Sequence, residues 1–264
     1  DGTEYMWQGD PVYWTGRSFH IFPYVGRLTD ETYMLNQKKY KMGIHGLVLG
    51  THLTLKKASS NTVTLSLISS DTSKEKYPYE FEYYILFHLQ EQKLKITYEV
   101  VNNDSSTMYF GIGGHPAFNV PLEPGLAFSD YKLTFNKPCF PTQIGMTNSC
   151  FVDGTLSSYP LENDNFIRLE HHMFDNDAII LQNTDKTVTL SSSKGRRSLS
   201  LTFEDFNYLM LWHMPHTQSP YLCIEPVSSL SARQNVIENL ATQGDLISLA
   251  PGKTYTAGIL YEFH

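Results

Sequence analysis

His115 and Glu225 carry the two kinds of side chain that move protons near neutral pH, and each stands where a strand pattern changes. His115 lies in the stretch Phe110-Gly111-Ile112-Gly113-Gly114-His115-Pro116-Ala117-Phe118-Asn119-Val120. Its three glycines let a backbone pass close to a neighbour or a ligand, and Pro116 offers no N–H, so the sheet ladder is expected to be disturbed there. Glu225 follows the apolar run Tyr221-Leu222-Cys223-Ile224 and precedes Pro226. A carboxylate at the end of a central strand is costly to bury unless it is hydrogen-bonded or kept wet by a cleft, which marks the position as a candidate site. Taken alone, His115 also reads as a satisfied histidine beside a bulge, and Glu225 as a capping or paired glutamate.

The elements that must position these residues read as strands. Val63, Leu65 and Leu67 alternate; Tyr79 to Leu89 is rich in aromatics, and Gln90-Glu91-Gln92 turns it into Leu94, Ile96, Tyr98 and Val100. From residue 51 to 135 the pattern predicts strand after strand. Tyr33 to Tyr40 reads as a hairpin about Asn36-Gln37, Ile179 to Leu201 resumes the alternation, and Thr254 to Phe263 forms a last strand. Leu209-Met210-Leu211-Trp212 and Tyr221 to Ile224 are continuous apolar runs of the kind buried on both faces. Ser231 to Leu240 alone looks helical, as a short helix or a 3₁₀ turn. The expected fold is all-β with very little helix, a sandwich or barrel, in one domain over residues 1–264.

Composition narrows the function. A net charge of −7 without clustered Lys and Arg argues against nucleic acid as the main partner. Lys194-Gly195-Arg196-Arg197 is the one basic knot and reads as a hairpin turn. No apolar run approaches a membrane span and no signal-peptide pattern opens the chain, so the expectation is a protein with no membrane partner. Cys139, Cys150 and Cys223 form neither a disulfide framework nor a zinc ribbon, which fits a reducing, cytoplasmic setting. His171-His172 with Asp175 and Asp177 could suggest a metal, but adjacent histidines on a strand point to opposite faces.

Five separated pieces resemble the aldose 1-epimerase (galactose mutarotase) family, in particular its LacX-like branch. They are Gly2-Thr3-Glu4-Tyr5-Met6-Trp7-Gln8-Gly9-Asp10; Phe22-Pro23-Tyr24-Val25-Gly26-Arg27-Leu28 with His45-Gly46; Gly114-His115-Pro116-Ala117-Phe118-Asn119; Phe174-Asp175-Asn176-Asp177-Ala178; and Cys223-Ile224-Glu225-Pro226. They occur in the family's order and span nearly the whole chain. The resemblance implies a large antiparallel β-supersandwich with an open sugar cleft, and interconversion of the α and β anomers of a small-molecule sugar. It implies Glu225 as general base on the C1 hydroxyl and His115 as general acid at the ring oxygen. Arg27 and His45 match positions that hold the sugar's hydroxyls and ring oxygen, Asp177, with Asp175 close behind, a hydroxyl-binding aspartate, and Trp212 an aromatic wall.

Opening a hemiacetal removes a proton from the anomeric hydroxyl while one reaches the departing ring oxygen, so a base and an acid must flank one ring. That chemistry requires no metal and no nucleotide cofactor. A non-catalytic sugar-binding protein of the same fold, or an epimerase of hexose 6-phosphates, would use the same residues differently. The chain departs from the branch in three places. Leu47-Val48-Leu49 replaces Phe-Ala-Arg after His45-Gly46, Val227 replaces Trp after Glu-Pro, and the family's first strands are expected to be missing before Gly2. Substrate identity is the inference these departures bear on.

Overall fold

In the computed structural model, which describes residues 2–264, the strands gather into two large antiparallel sheets. One has seven strands in the spatial order Ser18–Ile21, Gly113–Asn119, Tyr221–Val227, Tyr208–Trp212, Ile179–Gln182, Thr142–Met146 and Val152–Ser158. The other has nine, with Thr54–Ala58, Thr62–Ile68, Phe81–Gln90, Lys93–Asn102 and Thr254–Phe263 as neighbours along one half. Lys93–Asn102 shows why these residues pair: Ile96, Tyr98 and Val100 are buried while the residues between them stay partly open, the period of two of a strand with one covered face.

The main core lies between the sheets. It takes Leu181, Leu211, Leu222 and Ile224 from the seven-stranded sheet and Leu190, Leu201, Val100 and Ile259 from the nine-stranded one. Phe118 and Tyr261 meet across it with ring centroids 6.0 Å apart. Tyr221–Val227 is buried at every position, which is why its sequence is a continuous apolar run and not an alternation. One of its faces meets the core and the other carries Glu225.

His115 lies inside the Gly113–Asn119 strand, not at its end. On one side it pairs with Phe19 in an unbroken ladder. On the other, pairing with the Glu225 strand holds at Cys223 with Ala117 and at Val227 with Gly113, and is open between them. The expected disturbance is therefore one-sided, and it falls where Pro116 and Pro226 withhold their N–H groups. Gly113 serves close approach: a Cβ there would stand 2.6 Å from Val227 Cγ1 and 2.7 Å from Pro226 O.

Two elements differ from the sequence reading. Asp71–Lys76 is a short α-helix within the region read as strands, held by a capping box in which Ser70 Oγ accepts from Ser73 N–H and Ser73 Oγ accepts from Ser70 N–H. Ser231 to Leu240 forms no helix. Asn235 adopts a left-handed φ of 62°, and the segment gives its backbone groups to other parts of the chain. Ala232 N–H donates to Arg27 O at 2.9 Å, and Leu240 N–H to Met34 O at 3.0 Å. Tertiary partners here replace the internal bonds a ten-residue helix would have made. Among the described residues, no helix is long and apolar enough to cross a membrane.

Candidate active site

The face of the seven-stranded sheet turned away from the main core carries a row of directly opposed residues. Phe19 pairs with His115, Glu225 with Met210, and Met210 with Ile180. Continuing the register across the opened ladder places Glu225 opposite His115, and opposed residues of an antiparallel pair share a face. His115 Nε2 lies 3.3 Å from Glu225 Oε1, with both side chains almost wholly buried. A cavity of about 460 Å³ opens above them, and Arg27, His45, Asp177 and Trp212 line it together with His115 and Glu225.

Each wall is built locally. Gly26, at φ 67°, bends the chain after the first strand so that Arg27 N–H reaches Ser231 Oγ at 3.2 Å. A Cβ at Gly26 would lie 1.9 Å from that oxygen. His45 is tied to the same turn, since Gly26 N–H donates to His45 Nδ1 at 3.3 Å. Its Nδ1 is thereby an acceptor, leaving Nε2–H as the donor of the neutral ring. Asp177 accepts from Ala178 N–H at 2.7 Å through Oδ1 and from the Cys150 thiol at 3.2 Å through Oδ2. Trp212 and Trp14 close the aromatic side, with ring centroids 5.3 Å apart, and His115 is flanked by Trp14 at 5.2 Å and Phe19 at 4.4 Å.

Burial dominates the electrostatics. It pushes the Glu225 carboxyl well above the usual carboxylate range, and the Asp177 charge adds to the shift. The same burial, with His45 nearby, holds His115 well below the usual histidine value. Burial and then Arg27 bring His45 down to about 4, so its ring is neutral around pH 7. Both shifts at the central pair favour uncharged partners, a protonated glutamate beside a neutral imidazole. Glu225 becomes a stronger base once it has lost its proton, and His115 a stronger acid once it has gained one.

The chain matches the aldose 1-epimerase family over residues 1–262. The chain belongs to that family. It is 32% identical over 262 residues to the plasmid-encoded protein LacX of Lactococcus lactis subsp. lactis, a match covering 90% of this chain and 83% of LacX. Among solved structures it superposes on a galactose mutarotase related enzyme from Lactobacillus acidophilus with a TM-score of 0.93 at 28% identity, covering 99% of this chain and 87% of that one. A galactose mutarotase-like protein from Lactobacillus casei ATCC 334 gives 0.91 at 29% identity over 99% of this chain and 90% of that one. The two-sheet architecture is thus the galactose mutarotase-like fold expected of an aldose 1-epimerase family member.

Within this family member the six candidate residues, which lie far apart in sequence, line one cavity. Asp175, the neighbour of Asp177, turns elsewhere and accepts from His216 N–H at 3.2 Å. The possible metal grouping is dispersed. His171 and His172 lie on a 3₁₀ turn, not a strand, and His171 Nδ1 meets His213 Nε2 at 3.1 Å. Donor atoms close enough to hold a metal instead come from His115, Cys223 and Glu225, all within 4.8 Å of one another. Burial, and then Glu225, pushes the Cys223 thiol up. The sequence reading missed Trp14, Phe19 and Cys150 as cavity residues. Nothing local in the sequence reveals that Trp14 and Phe19 pack against His115.

Proposed function

We propose that the protein interconverts the α and β anomers of a neutral aldose, with Glu225 as base at the C1 hydroxyl and His115 as acid at the ring oxygen. The observation that carries this reading is the 3.3 Å separation of His115 Nε2 and Glu225 Oε1 beneath a cavity of about 460 Å³. In a cyclic aldose those two oxygens are bonded to the same carbon, so acceptor and donor must sit side by side. Once the single proton of the pair has passed from Glu225 to His115 across their 3.3 Å contact, the Glu225 carboxylate takes the hydroxyl proton, the C1–ring oxygen bond breaks, and His115 gives its proton to the departing oxygen. Rotation about C1–C2 and the reverse transfers close the ring as the other anomer and restore both side chains.

Arg27, His45 and Asp177 supply donors and an acceptor for the ring hydroxyls, and Trp212 offers an apolar wall to the sugar's C–H face. Arg27 is the only Lys or Arg lining this cavity among the described residues, and two carboxyl groups share the space with it. That balance favours a neutral sugar over a phosphorylated one, which would bring roughly two negative charges. The thiols of Cys139, Cys150 and Cys223 are all free, in keeping with a reducing, cytoplasmic compartment.

The test follows anomer exchange by NMR for a panel of neutral and phosphorylated aldoses. Acceleration over buffer that is lost in Glu225→Gln is the expected result. Sugar binding by calorimetry without acceleration for any aldose would instead make this a carbohydrate-binding member of the family.

A further inference from the structure

Cys223 stands two residues before Glu225 on the Tyr221–Val227 strand, so the two side chains lie on the same face of the sheet. The register sets Cys223 opposite Ala117, which makes its thiol a diagonal neighbour of His115. His115, Cys223 and Glu225 each offer one donor atom there, and these atoms all lie within 4.8 Å of one another. The proton-transfer scheme uses the first and the last and leaves the thiol, free and wholly buried, without a role. Glu225 Oε1 faces His115, while Oε2 is buried with no hydrogen-bond partner among the described residues. A buried carboxylate oxygen without a partner is rare and points to a missing ligand.

The spacing suits a tetrahedral zinc ion. Zinc holds an imidazole nitrogen and a carboxylate oxygen at about 2.0–2.1 Å, which sets those two atoms about 3.3 Å apart, and a thiolate sulfur at about 2.3 Å then stands about 3.6 Å from either. His115 Nε2 and Glu225 Oε1 are already 3.3 Å apart. From a separation of at most 4.8 Å, the thiol closes onto them by a movement of roughly 1 Å. A nitrogen, a sulfur and an oxygen donor favour zinc over magnesium or calcium, which take oxygen ligands. The charges also balance. Thiolate and carboxylate together cancel the two positive charges of the ion beside a neutral imidazole, so the buried centre is neutral as a whole, and the thiol proton and the one proton of the catalytic pair leave to solvent. His115 and Glu225 line the cavity, while Cys223 lies beneath them among Trp7, Ala117 and Tyr221. An ion therefore has a way in from above, and its fourth position opens towards the cavity.

We propose that His115, Cys223 and Glu225 form a zinc site in the floor of the cavity, and that the bound ion holds the protein inactive. The site stands on the geometry of its three donors. The inactivation rests on the epimerase reading, since the ion takes the lone pair that Glu225 offers to the C1 hydroxyl and the nitrogen that carries the His115 proton.

The experiment strips the protein with a chelator, keeps its cysteines reduced with a thiol-free reductant, and titrates it with zinc and with cobalt(II) as a coloured stand-in. Calorimetry should give one zinc ion per chain and no comparable binding of magnesium or calcium. Cobalt should give the intense near-ultraviolet charge-transfer band of a thiolate ligand. That band should persist in the Cys139→Ala/Cys150→Ala double variant, in which Cys223 is the remaining cysteine. It should vanish in Cys223→Ser, where zinc affinity should also fall by roughly 100-fold, one ligand's share of the free energy of a zinc site. One equivalent of zinc should bring anomer exchange down to the buffer rate, and chelator should restore it. If no aldose is exchanged but the ion binds with its thiolate band, the epimerase reading fails and the metal site stands. Absence of zinc binding, binding without the thiolate band, or a band lost together with Cys139 and Cys150 overturns the proposal. Zinc bound at these residues with exchange undiminished or raised overturns it as well.

Discussion

His115 and Glu225 face each other across the one opened stretch of ladder between their strands, and each is followed by a proline. The strands are paired on both sides of this gap, at Ala117 with Cys223 and at Gly113 with Val227, so the two side chains are held by the sheet itself. A site built on strands is set more rigidly than one built on loops, and the 3.3 Å spacing of the pair follows from the register.

That placement costs stability, and the sign can be worked out. Glu225 keeps its proton more tightly when folded than the ordinary value of 4.5 would allow. A raised folded-state value favours the folded protein below the unfolded pKa, and the benefit is lost as pH rises through the folded value. Glu225→Gln does not titrate. Its melting temperature relative to the unsubstituted protein should therefore increase as pH is raised from 4.5 through the alkaline range, while anomer exchange falls by orders of magnitude. A stability difference that shrinks with rising pH would mean that Glu225 is not held protonated.

The pH–rate profile should be bell-shaped with its limbs assigned in an order that the burial dictates. In the proposed mechanism the reactive form carries one proton on the pair, and it is on His115. Lowering the pH through the depressed His115 value adds a second proton and removes the base; raising it through the elevated Glu225 value removes the last one. The acid limb then belongs to His115. Trp14→Ala, which opens one flank of the imidazole to water, should move the acid limb to higher pH. An acid limb that stays in place while the alkaline limb moves would reverse the assignment.

Much of this was legible in the chain, and the limits have physical causes. Strands such as Lys93–Asn102 declare themselves because one face is buried and the other is not. Glu225 is visible because a carboxylate in an apolar run must have a reason to be there, and His115 because glycine and proline break the run around it. Phe19, Trp14 and Cys150 were not legible as cavity residues, since their positions depend on pairings between distant segments. Ser231 to Leu240 misled for the same reason. Its apolar spacing suits a helix, but much of its backbone is bonded to distant segments, Arg27, Met34 and Val152 among them.

Cys150 positions Asp177, the carboxylate that the proposed reading gives to a sugar hydroxyl. Its thiol donates to Asp177 Oδ2 at 3.2 Å, and burial and that carboxylate push the thiol up to about 11, so it remains a donor across the working range. Asp177 has a left-handed φ of 71° and is held by this bond and by Ala178 N–H. Cys150→Ala should raise KM by about 2- to 10-fold with kcat little changed, the size of effect expected from one lost hydrogen bond. Cys150→Ser, which keeps a donor, should recover most of the loss. A fall in kcat with KM unchanged would place Cys150 in the proton-transfer step instead.

Gly113 tests the opened ladder from the structural side. Its backbone passes so close to the Glu225 strand that an added Cβ would stand 2.6 Å from Val227 Cγ1 and 2.7 Å from Pro226 O, and the second of these is backbone and cannot turn aside. Gly113→Ala must push the two strands apart just where pairing resumes after the gap, so the strain falls on the register that brings His115 to Glu225. Overpacking of this kind costs about 1–3 kcal/mol, read as a lower urea midpoint. Because Gly113 touches no substrate, any loss of anomer exchange at temperatures where the variant is still folded reports a change in the His115–Glu225 spacing. The expected outcome is a fall in kcat with sugar affinity retained, since Arg27, His45 and Asp177 stand on other segments. A variant as stable as the unsubstituted protein would show that the strands separate freely there, and that the register does not hold the pair.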